Sequence, residues 1–157
     1  KKHKGYGTRE HMDKLQLNKA CAIHRKSFKP VAAAMPTLSW LRKEGRIIEW
    51  GEQVAAVYLI EGGYEVLFMN VYCSPYGKID IIAEKDGVII LVLVNTYSKK
   101  QMGTTSQNID QNKLKKLEAA INKYAVDMQV EKDISLDVIC VYLQPLAPKV
   151  EHFKSIL

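Results

Sequence analysis

The sequence predicts an α/β domain in which a mixed central sheet is flanked by helices in the order α-β-β-β-α-β, preceded by an extended basic N-terminal arm. Three observations carry this expectation. Residues 77–83 alternate as a strand, and residues 88–94 are an unbroken apolar run, too short to cross a membrane and suited to a strand buried on both faces. Segments with helical spacing lie before and after this pair. The excess positive charge of the chain is confined to its first 29 residues.

The charge division sets the domain boundaries. The 157-residue chain has a net charge of +6; residues 1–29 hold nine lysines and arginines against Glu10 and Asp13, a balance of +7 that leaves −1 for the remainder. Residues 1–36 are therefore assigned to a basic arm and linker, and residues 37–157 to one near-neutral domain. A hydrophobic content of 47% provides for a single core in a chain of this length. No run reaches the roughly 18 apolar residues of a spanning helix, and the start does not read as a signal peptide, so no membrane partner is expected. Three widely spaced cysteines, Cys21, Cys73 and Cys140, fit a reducing compartment better than a disulfide framework.

Residues 1–30 contain three of the four histidines and few large apolar side chains, so they cannot nucleate a core; an extended segment is expected, with a short helix near residues 13–26. Lys1, Lys2, Lys4, Arg9, Lys14, Lys19, Arg25, Lys26 and Lys29, interspersed with Tyr6, His11, His24 and Phe28, are what phosphate neutralisation and stacking on exposed bases require. The same composition also describes a solvated tail, and both readings stand. Cys21-Ala22-Ile23-His24 has zinc-like local spacing without the second pair that a structural site needs, so no metal or other cofactor is assigned. Pro30 and Pro36 bound a small apolar linker, after which Thr37 caps a short helix through Leu38, Trp40 and Leu41. Trp40 and Trp50 read as packing anchors rather than base-stacking platforms.

A helix is predicted over residues 49–61, with Ala55, Tyr58 and Leu59 on one face, Glu52 in its first turn and Gly62-Gly63 ending it. Glu52 then needs no catalytic role, since a negative charge is favourable near a helix N-terminus. Residues 64–72 form a first strand with Tyr64, Val66 and Phe68 on one face and Leu67 and Met69 on the other. Residues 73–77 turn the chain into the strand at 77–83, and Lys85-Asp86-Gly87 makes the second strand its hairpin partner. A polar loop follows at 98–107, carrying Lys99, Lys100 and Gly103. The helix predicted over 110–128 buries Leu114, Leu117, Ile121, Tyr124 and Met128 and turns Lys113, Lys115, Lys116 and Lys123 outward, as a solvated face or a second basic surface. Residues 134–143 alternate as a strand, Pro145 and Pro148 break it, and residues 150–157 add an edge strand.

Several segments together carry a family resemblance: Gly51-Glu52-Gln53-Val54-Ala55-Ala56-Val57-Tyr58-Leu59, then Gly63-Tyr64 and Asn70, then Gly77-Lys78-Ile79-Asp80-Ile81-Ile82-Ala83, then Leu91-Val92-Leu93-Val94-Asn95-Thr96. In order and spacing these resemble the YraN-like family of predicted endonucleases with a restriction-endonuclease-like core, over roughly the last two thirds of the chain. The resemblance implies that core for residues 37–157. It also implies a divalent-metal site, because the family reads Gly-Glu-Ile-Asp in the first central strand and Val-Glu-Val-Lys in the second. Here Glu52 and Asp80 remain, while Leu93 stands at the second metal-binding carboxylate and Asn95 at the lysine. Leucine offers no oxygen to a hard cation, and asparagine carries no charge with which to stabilise a phosphorane. Lys78 adds a positive charge two residues from Asp80, expected on the opposite face of the strand.

Three classes of function follow. The first is a non-catalytic, nuclease-like subunit that binds RNA, ribosomal RNA above all, through the arm and packs on neighbouring proteins of a large assembly. The second is a metal-dependent endonuclease with a diverged site, and the third a protein-interaction module without nucleic acid. The first is preferred, since a basic arm on a near-neutral domain suits a ribonucleoprotein. The chain starts at Lys1 with no methionine, which fits removal of a targeting segment and leads to the expectation of a mitochondrial ribosome.

Overall fold

The computed structural model describes residues 37–98, 111–144 and 147–156. The expected arm at 1–36 and most of the polar loop at 98–107 lie outside the described residues. Thr37 caps helix α1 (Leu38–Lys43) by accepting the Trp40 N–H at 3.2 Å, and Leu41 is its buried residue. Gly45, at φ +66°, turns the chain into α2 (Ile47–Glu61). That helix starts two residues before the expected position. Glu49 is therefore the acid of its first turn, paired with Arg46 at 2.9 Å, and Glu52 sits one turn further in, where a stabilising interaction with the helix N-terminus no longer accounts for it.

Strands β1 (Glu65–Cys73), β2 (Gly77–Lys85), β3 (Val88–Ser98), β4 (Ile134–Leu143) and β5 (Lys149–Phe153) form one sheet in sequence order, with α3 (Gln111–Asp127) between β3 and β4. The β3–β4 pair is parallel and the other pairs are antiparallel, so the sheet is mixed as expected. Asp86 and Gly87, at φ +52° and +77°, make the two-residue β2–β3 hairpin turn whose twist matches its strands. β3 runs on to Ser98 rather than ending at Val94, because β4 continues to pair with it as far as Ser98–Leu143. A bulge between Val66 and Phe68 shifts the phase of β1, so Phe68 and Met69 are exposed while Leu67 and Val71 pack inward.

Helices cover both faces of the sheet. On one, Val54, Ala55, Ala56 and Leu59 of α2 pack against Ile81, Ala83, Val92, Ile139 and Val141, with Trp50 alongside. On the other, Leu117, Ala120 and Tyr124 of α3 pack against Ile79, Ile82, Leu91, Leu93, Val138 and Cys140, with Leu114 and Ile121 partly buried. Two residues expected inside are exposed: Tyr58, whose ring meets His152 edge-on, and Met128, which lies just beyond α3. Trp40 is half-buried beneath the Arg46 guanidinium. Cys73 and Cys140 are buried free thiols. The layers and element order are those of a restriction-endonuclease-like core.

Two local constraints hold this arrangement. Gly51 presses α2 against β3: a Cβ placed there would lie 1.8 Å from Thr96 Oγ1 and 2.7 Å from Thr96 Cγ2. The edge strand β5 is fastened by a buried polar cluster. His152 Nε2 lies 2.7 Å from Asp137 Oδ2, while Asp137 Oδ1 accepts the Ser155 N–H at 2.9 Å and the Ser135 hydroxyl at 3.2 Å. Burial acts to raise the Asp137 carboxyl, but the bonds from His152, Ser155 and Ser135 outweigh it and hold the group below the usual aspartate range.

Three outcomes are expected. Leu93→Ala should cost about 2 to 5 kcal/mol in urea unfolding, the range for a buried leucine, and a loss near zero would place the residue in solvent. Gly51→Ala should cost about 1 to 3 kcal/mol through overpacking. Thr96→Ala in the Gly51→Ala background should recover part of that loss, because the two closest atoms are then gone. The third outcome concerns acid. A depressed Asp137 stabilises the fold above its unfolded pKa of about 3.9, and this contribution disappears as pH falls through the lower folded value. The melting temperature of the wild type should accordingly drop more steeply below about pH 4 than that of Asp137→Asn, and equal slopes would remove Asp137 from the acid response.

Candidate functional site

The sheet opens between β2 and β3. Their pairing runs from Lys85–Val88 to Ile81–Val92 and ends there, while β2 stays with β1 to its first residue and β3 stays with β4 to its last. Asp80 stands at the point of divergence. Its Oδ2 accepts the Val94 N–H at 2.8 Å, so the carboxylate takes the place of a missing ladder partner.

Lys78 is on the same side of β2 as Asp80, contrary to the expectation of opposite faces, because residues two apart in a strand project the same way. Its Nζ lies 2.5 Å from Glu52 Oε1, 3.0 Å from Asp80 Oδ1 and 2.8 Å from Asn70 Oδ1. Three elements thus converge on one ammonium: α2 through Glu52, β2 through Asp80 and β1 through Asn70, a non-glycine residue held at φ +55°. The side chains of Glu52 and Asp80 are only 5% and 11% exposed, so each needs a cationic partner, and that of Lys78 is 30% exposed. Burial acts to lower the Lys78 ammonium, but its hydrogen bonds to Glu52 and Asp80 and their charge prevail and hold it above the usual lysine range.

Of the four positions singled out in the sequence, the structure brings Glu52 and Asp80 together and sends the other two elsewhere. Leu93 is buried opposite Val138 in the core beneath α3. Asn95 faces Cys140 across the β3–β4 pair and is hydrogen-bonded to it, which spares a buried amide from standing unpaired. Lys78 and Asn70 complete the site. Lys78 was legible as a member, given the two-residue period of a strand; the Asn70 contact depends on the backbone angle and is not.

These residues do not fit a divalent ion as they stand. The space between the two carboxyls holds the Lys78 ammonium, and Leu93 supplies no ligand atom. Among the described residues no group of three or more His, Cys, Asp or Glu side chains converges to hold a metal. The arrangement neutralises two buried carboxyls and braces the open end of the β2–β3 pair.

Other charges of the domain are also engaged internally. Lys85 donates to the Gly62 carbonyl at 2.8 Å, Lys123 pairs with Asp127 at 2.8 Å, Lys132 with Glu84 at 2.5 Å and Lys149 with Glu151 at 3.1 Å. Of the expected lysine face of α3, Lys115 and Lys116 are exposed, and Lys123 is held by its own helix. A groove of about 300 Å³ between β1 and α3, lined by Phe68, Tyr72, Tyr124 and Met128 among others, contains none of the site residues. Among the described residues no helix is long and apolar enough to cross a membrane.

The site lies within the part of the chain that is shared with known proteins. Residues 51–141 match the model of the uncharacterised protein family UPF0102. A UPF0102 protein of Flavobacterium psychrophilum is 30% identical over 107 residues, covering 68% of this chain and 89% of its own length. One from Campylobacter fetus is 38% identical over 91 residues, 58% of this chain and 79% of its own. Another, from Syntrophomonas wolfei, is 31% identical over 104 residues, 66% and 90%. The matched span runs from the helix bearing Glu52 through the strands bearing Lys78, Asp80 and Leu93 and on into β4, and by that span the chain belongs to the UPF0102 family, the YraN-like family of restriction-endonuclease-like proteins.

Proposed function

We propose that this chain is a non-catalytic member of a nuclease-like family, acting as an RNA-binding structural subunit of a ribonucleoprotein assembly. The observation that carries the reading is the Lys78 ammonium between Glu52 and Asp80, at 2.5 and 3.0 Å. Metal-assisted phosphodiester hydrolysis requires a cation at the attacked phosphate and a charged group to meet the negative charge that develops there. In this chain the retained carboxyls are closed on a lysine, Leu93 belongs to the core, and Asn95 is neutral and turned to Cys140.

Nucleic-acid binding is assigned to the basic N-terminal segment. Residues 1–29 hold +7 and the rest of the chain −1, while Arg46, Lys78, Lys85, Lys123, Lys132 and Lys149 of the domain already contact acceptors of their own. Phosphate binding through the domain would first have to break those contacts. The mitochondrial ribosome remains the proposed assembly. The alternative of a diverged metal-dependent endonuclease draws its support from one feature, the convergence of Glu52 and Asp80 where β2 and β3 separate.

The test uses the full chain and a variant in which the nine basic residues of positions 1–29 are glutamine. With about five phosphate contacts, log affinity for RNA against log salt should slope at roughly −3.5 to −4.5 for the wild type and near zero for the variant. Neither form should cleave DNA or RNA with magnesium or manganese. Metal-dependent cleavage that vanishes in Asp80→Ala would establish the endonuclease. Equal RNA affinity of the two forms would move binding to the domain, with Lys115 and Lys116 as the first positions to examine. Retention in a protein complex without RNA binding by either form would favour an interaction module.

A further inference from the structure

We infer that Lys78 is a built-in counter-cation, and that Glu52, Asp80 and Asn70 form a latent divalent-cation site which the protein keeps closed with its own side chain. The inference rests on the reading of the site as closed to metal. Three oxygens from three separate elements converge on one point, at 2.5, 3.0 and 2.8 Å from Nζ. An ammonium has three N–H donors, and each finds one acceptor, so the lysine fills the site without remainder. Oxygen donors from carboxylates and an amide, gathered around a single positive centre, are also the set that a hard divalent cation takes.

The surroundings keep that set in place with or without the lysine. Asp80 is aimed by the Val94 N–H on its other oxygen. Glu52 is carried on α2, which Gly51 holds against Thr96 of β3. Asn70 is presented by its left-handed backbone in β1. The Lys78 side chain is 30% exposed, whereas the carboxyls are nearly buried, so the ammonium is the part of the cluster that faces a route to solvent. Removing it leaves two carboxyls with no cation between them, and a divalent ion restores the balance.

The experiment titrates manganese alone into the full-length wild type, Lys78→Ala and Lys78→Gln, following heat of binding and thermal unfolding. The expected result is at least tenfold tighter manganese binding by Lys78→Ala than by the wild type, with a rise in its melting temperature on saturation, and loss of both in Glu52→Gln/Lys78→Ala. Variants that fold only when manganese is present would support the inference equally, as a metal then replaces the ammonium directly. Equal affinity of wild type and variants would overturn it. So would variants that fold and bind no manganese, or that fail to fold with or without it. The two readings fail separately: cleavage of nucleic acid by the wild type overturns the non-catalytic function, whereas failure of Lys78→Ala to take manganese overturns the latent site and leaves that function standing.

Discussion

Strand β3 is paired on both edges, to β2 and β4, and its residues from Ile89 to Leu93 are buried between α2 and α3. A strand enclosed in this way leaves no backbone group free to bond water, so each departure from pairing needs a substitute. The departure comes at Val94, where β2 has turned away, and the substitute is the carboxylate of Asp80. Placing a carboxylate in that gap creates a second requirement, since a nearly buried anion must have a cation beside it. Glu52 on the adjoining helix adds to the demand. The cluster around Lys78 thus follows from the way the central strand loses one neighbour.

That demand is met by any cation that fits, which is why the same scaffold accommodates two kinds of chemistry. A divalent ion between the carboxyls leaves open coordination positions for a phosphate and a water. An ammonium satisfies the same oxygens and leaves none, because its hydrogens are all directed at the protein. Structural support and catalytic competence are therefore separable at this position. Loss of the carboxylate at 93 fits the same division, since a leucine there extends the core beneath α3 and increases its apolar contact.

Much of this was legible in the residues. The apolar run at 88–94 had to be enclosed, Asp86-Gly87 had to turn, and the helical spacing of Leu114, Leu117, Ile121 and Tyr124 had to face a sheet; all three hold. The errors cluster where local pattern meets tertiary pairing. One extra residue at the β1 bulge turned Phe68 outward, and pairing with β4 carried β3 four residues past the apolar run. The start of α2 moved because Arg46 and Glu49 close its first turn, which recast Glu52 from a helix-end charge to a site residue. Lys78 was misplaced by disregarding strand period. The Asp137–His152–Ser155 cluster carried no local signal, since its members are joined only by the pairing of β4 with β5 and the turn of the chain back toward Leu136.

The internal use of charge bears on how the two parts of the chain divide their work. A domain whose lysines and arginines are largely matched to its own acceptors gains no field with which to draw in a polyanion, and its net charge is close to zero. An unbalanced run of nine basic residues has the opposite character: with few apolar side chains it has no core to join, and its charge is available for phosphates. Selection on the site and on the arm can then proceed independently. Filling the gap between Glu52 and Asp80 with a lysine alters the chemistry of the domain while leaving the arm's affinity for a polyanion untouched. A nuclease-like scaffold can in this way lose hydrolysis and keep, or strengthen, its hold on nucleic acid.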